Sequence, residues 1–212
     1  MYTTRFITPK EVKLINTLFS VNSKLIGEEL TPNDLDSMIQ YYRSLIEVDL
    51  MKISMVFDEN DSPVAMYTAR LFPKIKGWWV AATKIKVPTN HFSTTSKIMA
   101  PGLDLMLETL EAEGYYKFWM GAPEQHHNIR NAVMVKQSNL LHRYDWVDEL
   151  VIPKGQRCDV EIFEQNRRTC NWSDILVRMF VLKQEYRIEH MRKQGHINYT
   201  GVLTSSKAPK PN

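Results

Sequence analysis

The sequence predicts an α/β (α+β) fold: a twisted mixed sheet flanked by helices. Three observations predict it. First, GWWVAATKIKV (Gly77–Val87) is closed by Pro88, a long helical run ends on Gly114, and YYKFWMGAP (Tyr115–Pro123) follows. A strand, a crossover helix and a second strand form a βαβ unit, and such a crossover demands parallel strands. Second, Met51, Ile53, Met55 and Phe57 alternate with Lys52 and Ser54, and the turn formers Asp58–Pro63 lead into a returning apolar strand over 64–72. That is the pattern of an antiparallel hairpin. Third, Thr8-Pro9 and Thr31-Pro32 each place a capping hydroxyl before proline at the first helical position.

In chain order, Val12, Ile15, Leu18 and Phe19 share one face of a first helix. Leu35, Met38, Ile39, Tyr42, Leu45 and Ile46 form a cleaner stripe on a second. The hairpin follows, and Pro73–Gly77 connects it to a third strand in which Trp78 and Trp79 point to opposite faces. The polar stretch TNHFSTTS (Thr89–Ser96) reads as a loop before the long helix KIMAPGLDLMLETLEAEG. An alternative starts that helix at Pro101 and brings Gly102 to its mouth. In either case Leu103, Met106, Leu107 and Leu110 lie on the face turned to the sheet. Asn128–Leu141 has helical composition, Tyr144–Pro153 and Ile175–Leu182 read as strands, and Lys183–Gly195 reads as a helix. Residues 155–173 form a polar excursion without a clear period.

Composition excludes several classes. With 212 residues, 43% hydrophobic and 24% charged, the chain is of ordinary globular type. No apolar run reaches the roughly 20 residues that span a bilayer, and the first residues lack the apolar core of a signal peptide. Cys158 and Cys170 are too few for a disulfide framework or a zinc site. The expectation is a cytoplasmic protein with no membrane partner and no metal. Residues 183–212 carry six Lys/Arg against two Glu, a net of +4, leaving the other 182 residues at −1. The chain therefore divides into a domain over 1–182 and a basic C-terminal helix with a flexible tail over 183–212, the latter suited to an acidic partner.

Few residues carry chemistry. Glu124, His126 and His127 follow the strand that ends at Ala122, and a histidine there suits a general base because imidazole titrates near neutrality. The bland alternative is a polar loop opening a helix. His91 stands at the mouth of the loop before the long helix. Tyr116, Phe118, Trp119, Trp78 and Trp79 gather on the two central strands, where core packing is the default role. Lys154, Arg157, Arg167 and Arg168 make a loose basic patch.

The order helix, helix, three strands, long helix, strand, helix, two strands resembles the GCN5-related N-acetyltransferase (GNAT) fold over roughly residues 5–182. FDENDSPVAMYTAR is similar to that family's early hairpin, KVP to the close of its central strand, and LDLMLETLEAEGYYKFWM to its long helix and next strand. In this alignment Asn128 takes the family's Asn, Asn139 its Gly at a left-handed helix end, and Leu140 its aromatic. The resemblance implies acetyl-CoA as ligand. Thr94, Thr95 and Ser96 would hold its pyrophosphate at the helix mouth, and the strand backbone out to Lys84 and Val87 would pair with the pantetheine arm.

The sequence departs from the family where chemistry is concentrated. The acyl-CoA loop pattern R/Q-x-x-G-x-G/A is replaced by His91-Phe92-Ser93-Thr94-Thr95-Ser96, without glycine. The family's tyrosine general acid falls on Val135, or on Lys136 after a one-residue slip, and no glutamate lies on 77–87. The resemblance then implies a GNAT-like scaffold with weak or absent catalysis and a binding or assembly role, as in a GNAT-like internal virion protein of phages, virion-associated in that case. The alternative it implies is an acyl-CoA-dependent N-acyltransferase acting on an amine substrate.

Overall fold

The computed structural model describes residues 2–19, 31–84, 92–123, 138–153 and 174–195; within these, side chains are left undescribed at 81–84, 92–97, 122–123 and 175. Seven strands make one sheet: β1 (Thr3–Phe6), β2 (Met51–Phe57), β3 (Pro63–Phe72), β4 (Gly77–Lys84), β5 (Lys117–Pro123), β6 (Tyr144–Ile152) and β7 (Ile175–Leu182). Their spatial order is β1-β2-β3-β4-β5-β7-β6. β4 and β5 are parallel, with Gly77 opposite Lys117 and Val80 opposite Met120. The neighbouring ladders β1/β2, β2/β3, β3/β4, β5/β7 and β6/β7 are antiparallel. The βαβ reading of 77–121 therefore holds.

Capping starts the first helices. A 3-10 helix, Pro9–Leu14, continues into α-helical residues 15–19, and α1 spans Pro32–Glu47. Thr8 donates its amide and hydroxyl to Glu11 Oε2 at 2.9 and 2.8 Å. Thr31 is closed reciprocally: its hydroxyl accepts from the Asp34 amide at 3.2 Å while its own amide donates to Asp34 Oδ2 at 3.0 Å. At the other end of α1, Asp49 takes a left-handed φ of 52°, and the Leu50 amide reaches the Leu45 carbonyl at 2.8 Å. This is a Schellman ending with aspartate where glycine is usual.

The long helix α2 spans Phe92–Ala112. It begins five residues before the expected Lys97, so Ser93–Ser96 are its first turn rather than a preceding loop. It also runs through Pro101, which excludes a start at that residue. Pro101 removes the bond to the Lys97 carbonyl, and it sits on the exposed side, where water can satisfy that carbonyl instead. Beside it, Gly102 packs tightly on the sheet: a Cβ there would lie 3.0 Å from the Tyr67 ring and 3.3 Å from Val56. Buried Ser54 on β2 donates its hydroxyl to the Gly102 carbonyl at 2.8 Å, tying helix to sheet at this point. At the C-terminus Gly114 adopts φ 81°, and the Tyr115 amide reaches the Leu110 carbonyl at 2.8 Å.

Two cores lie on opposite faces. Leu103, Met106, Leu107 and Leu110 are each fully buried against Tyr67, Leu71, Trp78, Val80 and Phe118, as their spacing requires. The other face packs Met51, Ile53, Met55, Phe57 and Met66 under Val12, Ile15, Leu18, Ile39, Tyr42 and Leu45. Phe72, Trp119, Ile152 and Val177 form a smaller cluster with Trp79 beside it. Trp78 and Trp79 thus do point to opposite faces. The Trp119 indole lies over Gly77, where an added Cβ would be 2.5 Å from the ring.

Three expectations need correction besides the helix start. β1 was not foreseen: TTRF is four residues with alternating exposure, too short to register as a strand. Residues 138–143 are not α-helical; Leu141–Arg143 is a single 3-10 turn. Asn139 does not hold a left-handed position, since among the described non-glycine residues only Asp49, Asp61 and Lys76 have positive φ. The C-terminal helix α3, Gln184–Lys193, is present, and it docks with Tyr186 against the main core and Gln194 Nε2 on the Ala112 carbonyl at 2.9 Å. Among the described residues no helix is long and apolar enough to cross a membrane.

Candidate active site

The parallel ladder between β4 and β5 ends at Val80 and Met120. Both strands run on. β4 continues to Lys84 paired only with β3, where Ala81 faces Thr68 and Lys84 faces Ala65. β5 continues to Pro123 paired with β7, where Gly121 faces Val177 and Pro123 faces Ile175. The two central strands therefore diverge, and among the described residues no strand lies opposite the edge of 81–84 turned away from β3. A diverging pair of parallel strands offers backbone donors and acceptors to an extended ligand lying between them.

α2 is the next described element after β4. By helix geometry its first four amides, Phe92–Thr95, have no carbonyl within the helix, and the aligned peptide dipoles add partial positive charge. The amides of Thr94 and Thr95 belong to that set. Ser96 follows them as the fifth residue of the helix. Lys84 is the last residue of β4. Val87, His91, Glu124, His126, His127 and Asn128 lie outside the described residues.

Sequence reasoning missed the polar contacts that bind α2 to the stretch before β6. Asp104 and Glu111 stand seven residues apart, two helical turns, on one stripe of α2. Asp104 Oδ1 accepts from the Ser138 hydroxyl, while Oδ2 accepts from Asn139 Nδ2 at 2.9 Å and from the Asn139 amide at 3.3 Å. The Ser138 oxygen in turn accepts from the Leu140 and Leu141 amides at 2.9 and 3.0 Å. Further along, buried Glu111 accepts from the Tyr144 hydroxyl at 3.0 Å and from Arg143 at 3.2 Å. Burial, then the Glu111 charge and the hydrogen bond to it, push the Tyr144 phenol far above its usual range. Tyr144 is the first tyrosine after Asn128, and it is held as a structural donor to Glu111. The only local signal was three acids, Asp104, Glu108 and Glu111, interrupting an apolar helix, the same signal a solvated face gives.

Electrostatics elsewhere is structural. Lys52 is desolvated, which lowers its pKa, but bonds to Glu113 and Asp49 outweigh burial and the net shift is upward. Its ammonium lies 3.0 Å from Glu113 and 3.2 Å from Asp49, linking the start of β2 to the end of α2. Among the described residues no group of three or more His, Cys, Asp or Glu side chains is placed to hold a metal.

No protein-family model matches the chain, and no curated protein sequence does. Solved structures match its shape. A ribosomal-protein-S5-alanine acetyltransferase from Vibrio fischeri superimposes with TM-score 0.58 at 11% identity, covering 86% of this chain and 94% of its own. An N-acetyltransferase from Staphylococcus aureus gives 0.57 at 13%, covering 86% and 99%. A spermidine N-acetyltransferase from Vibrio cholerae, solved with CoA and spermine, gives 0.57 at 12%, covering 87% and 97%. Identities this low carry the fold and no more. Together with the divergent β4/β5 pair, the crossover helix and the strand order, they show that the chain has the fold of the GCN5-related N-acetyltransferases.

Proposed function

We propose that the chain binds an acyl-CoA thioester between the diverging ends of β4 and β5 and transfers the acyl group to an amine. The observation that supports it most is the early end of the parallel β4/β5 ladder at Val80 and Met120, in a βαβ unit whose crossover helix is α2. The residues present fit such a ligand in two ways. The edge of β4 over residues 81–84, which no described strand pairs, suits the amide-bearing arm of CoA, and the Phe92–Thr95 amides suit its pyrophosphate, since a helix N-terminus attracts anions without a particular side chain. The bound thioester would supply an activated acyl carbon and a thiolate leaving group. The amine forms the new C–N bond as the C–S bond breaks, and its proton passes to a base. His126, His127 and Glu124 are the candidates for that base, each by its position in the sequence after β5.

One observation favours a second reading, in which the scaffold binds or assembles without catalysis. No glycine occurs between Gly77 and Gly102. Phe92, Ser93, Thr94, Thr95 and Ser96 build the first turn of α2 where close backbone approach to a phosphate favours glycine. A role inside a larger particle, such as a phage virion, belongs to this reading, as does an acidic partner for the basic 183–212 segment.

Calorimetry and thermal shift with CoA and acetyl-CoA decide between them. A ligand at 100 times its dissociation constant stabilises a protein by about 2.7 kcal/mol. Binding followed by acetylation of an amine panel supports the enzyme. Binding without transfer supports the second reading, and no shift at millimolar ligand overturns the acyl-CoA site altogether.

A further inference from the structure

We propose that His190 is a proton-sensitive latch for the C-terminal helix α3, closed while its imidazole is neutral and opened by protonation. The two ends of α3 are held differently. At its start the Leu182 amide donates to the Tyr116 carbonyl at 2.8 Å, the Lys183 amide donates to the Arg143 carbonyl at 2.9 Å, and Tyr186 packs against the main core. No residue of the helix is buried, so its far end relies on contacts at the surface. There Gln194, the C-cap of α3, donates from Nε2 to the carbonyl of Ala112, the last residue of α2, at 2.9 Å. The same nitrogen lies 3.0 Å from His190 Nε2.

These two contacts fix where the protons are. A carbonyl oxygen only accepts, so the Gln194 amide presents its NH2 group to Ala112 rather than its oxygen. One hydrogen of that group goes to Ala112 and the other is left for His190. The ring nitrogen facing it must therefore be the acceptor, which puts the proton of the neutral imidazole on Nδ1. An imidazolium carries hydrogen on both nitrogens, so protonation sets N–H against N–H and the bond is lost. Imidazole side chains as a class take up that proton between about pH 8 and pH 5. The bond belongs to the neutral form, so the latch holds at the alkaline end of this window and opens as pH falls.

The charged groups around the ring do not reverse this sign. From β5, the Tyr116 ring meets the imidazole edge-on with centroids 6.1 Å apart, and Arg187 of α3 lies 5.0 Å from the centre of the same ring. Also on α3, Glu189 is close enough to feel the charge of His190, but it pairs with Lys193 at 2.8 Å. Arg143, in the turn before β6, acts on Glu189 as well. On α2, Glu111 acts on Tyr116 but is bonded to Arg143 and Tyr144, and Glu113, next to Ala112, bonds Lys52 at 3.0 Å. Each of these carboxylates thus already has a cation. The carbonyls ending α2 favour positive charge, yet an imidazolium drawn to Ala112 displaces Gln194 all the same. The latch therefore sets the point from which the chain leaves the domain. Closed, it ties the end of α3 to α2; open, that end, with Arg192 and Lys193, comes away about the fixed start at Lys183.

None of these contacts involves the acyl-CoA slot, and the test needs no CoA. Amide hydrogen exchange is measured on the full chain at pH 8.0 and pH 5.5, each corrected for the intrinsic exchange rate at that pH. The variants are His190→Gln, which keeps an acceptor that does not titrate, His190→Ala and Gln194→Ala, which each remove one side of the bond, and His142→Gln. The last changes the other histidine of this patch, which meets Tyr186 edge-on. In the parent, protection of amides 190–195 should fall at least threefold from pH 8.0 to pH 5.5, while that of 103–110 stays the same. His190→Gln should be protected at both pH values, His190→Ala and Gln194→Ala at neither, and His142→Gln should respond as the parent does. Equal protection of 190–195 in the parent at the two pH values overturns the latch. So does a pH response that persists in His190→Gln or disappears in His142→Gln.

Discussion

The β2–β3 and β6–β7 hairpins have similar antiparallel ladders and opposite fates in the core. β2 is buried or half-buried along its whole length, since helices cover both of its faces. β6 is buried only at Tyr144 and Ile152, and the seven residues between them are exposed. Four of the eight large apolar side chains exposed among the described residues, Trp146, Val147, Leu150 and Val151, stand on this one strand. Its order rests instead on the ladder to β7 and on Arg178, which bonds Glu149 at 2.9 Å and lies 4.0 Å from the centre of the Trp146 ring. Similar hydrogen bonding therefore does not mean equal burial. What differs is the apolar area removed from water on each strand.

The sharpest way to break this contrast is inside the two-faced half. Leu107→Ala removes a fully buried side chain and should cost about 2–5 kcal/mol in chemical denaturation. A loss below about 0.5 kcal/mol, the scatter of ordinary surface changes, would mean α2 does not carry this core. Gly77→Ala comes next. Its Cβ would meet the Trp119 ring at 2.5 Å, and overpacking of this kind costs about 1–3 kcal/mol; a Tm equal to the parent's would show that the indole has room to move. In the one-faced half, Arg178→Ala should cost no more than about 1 kcal/mol, as partly exposed ion pairs do, while changing Trp146 fluorescence. A larger loss would show that the Arg178 bridge, rather than the ladder, holds β6.

The smallest expected effect is a dependence on pH. Accepting the Thr8 amide and then its hydroxyl holds Glu11 below its ordinary value of 4.5, and accepting the Thr31 hydroxyl and then its amide holds Asp34 below 3.8. A folded pKa below the unfolded one adds stability that is complete above the ordinary value and disappears as pH falls through the folded one. The parent's advantage in Tm over Glu11→Gln or Asp34→Asn should thus be constant near neutrality and vanish in strong acid. An advantage that grows on acidification would contradict the capping bonds.

The two-faced half was legible for the same reason that it is stable. Burial imposes periodicity, so Leu103, Met106, Leu107 and Leu110 announced both the helix and its face, and Thr31-Pro32 and Gly114 marked helix ends that the structure reproduces. The start of α2 was misread because Ser93–Ser96 resemble a loop and Pro101 a breaker. A helix whose proline faces solvent needs neither reading. The Asp104–Ser138 and Glu111–Tyr144 bonds join residues more than thirty apart, and no local pattern encodes a partner at that distance. Of the candidate site, only the βαβ frame could be read from sequence, because His126, His127, Glu124, Asn128 and Val87 owe their candidacy to position alone.

The placement of β7 between β5 and β6 has a consequence during synthesis. β6 leaves the ribosome first, yet it cannot join the sheet until β7 has arrived to separate it from β5. Throughout that interval the edge of β5, with Phe118, Trp119 and Met120 along it, is an open template for any extended chain nearby. A chain truncated before Ile175 would keep that edge permanently. Such a product should be insoluble even though every residue of the βαβ unit is present, and the sheet is complete only when the last of its seven described strands has been made.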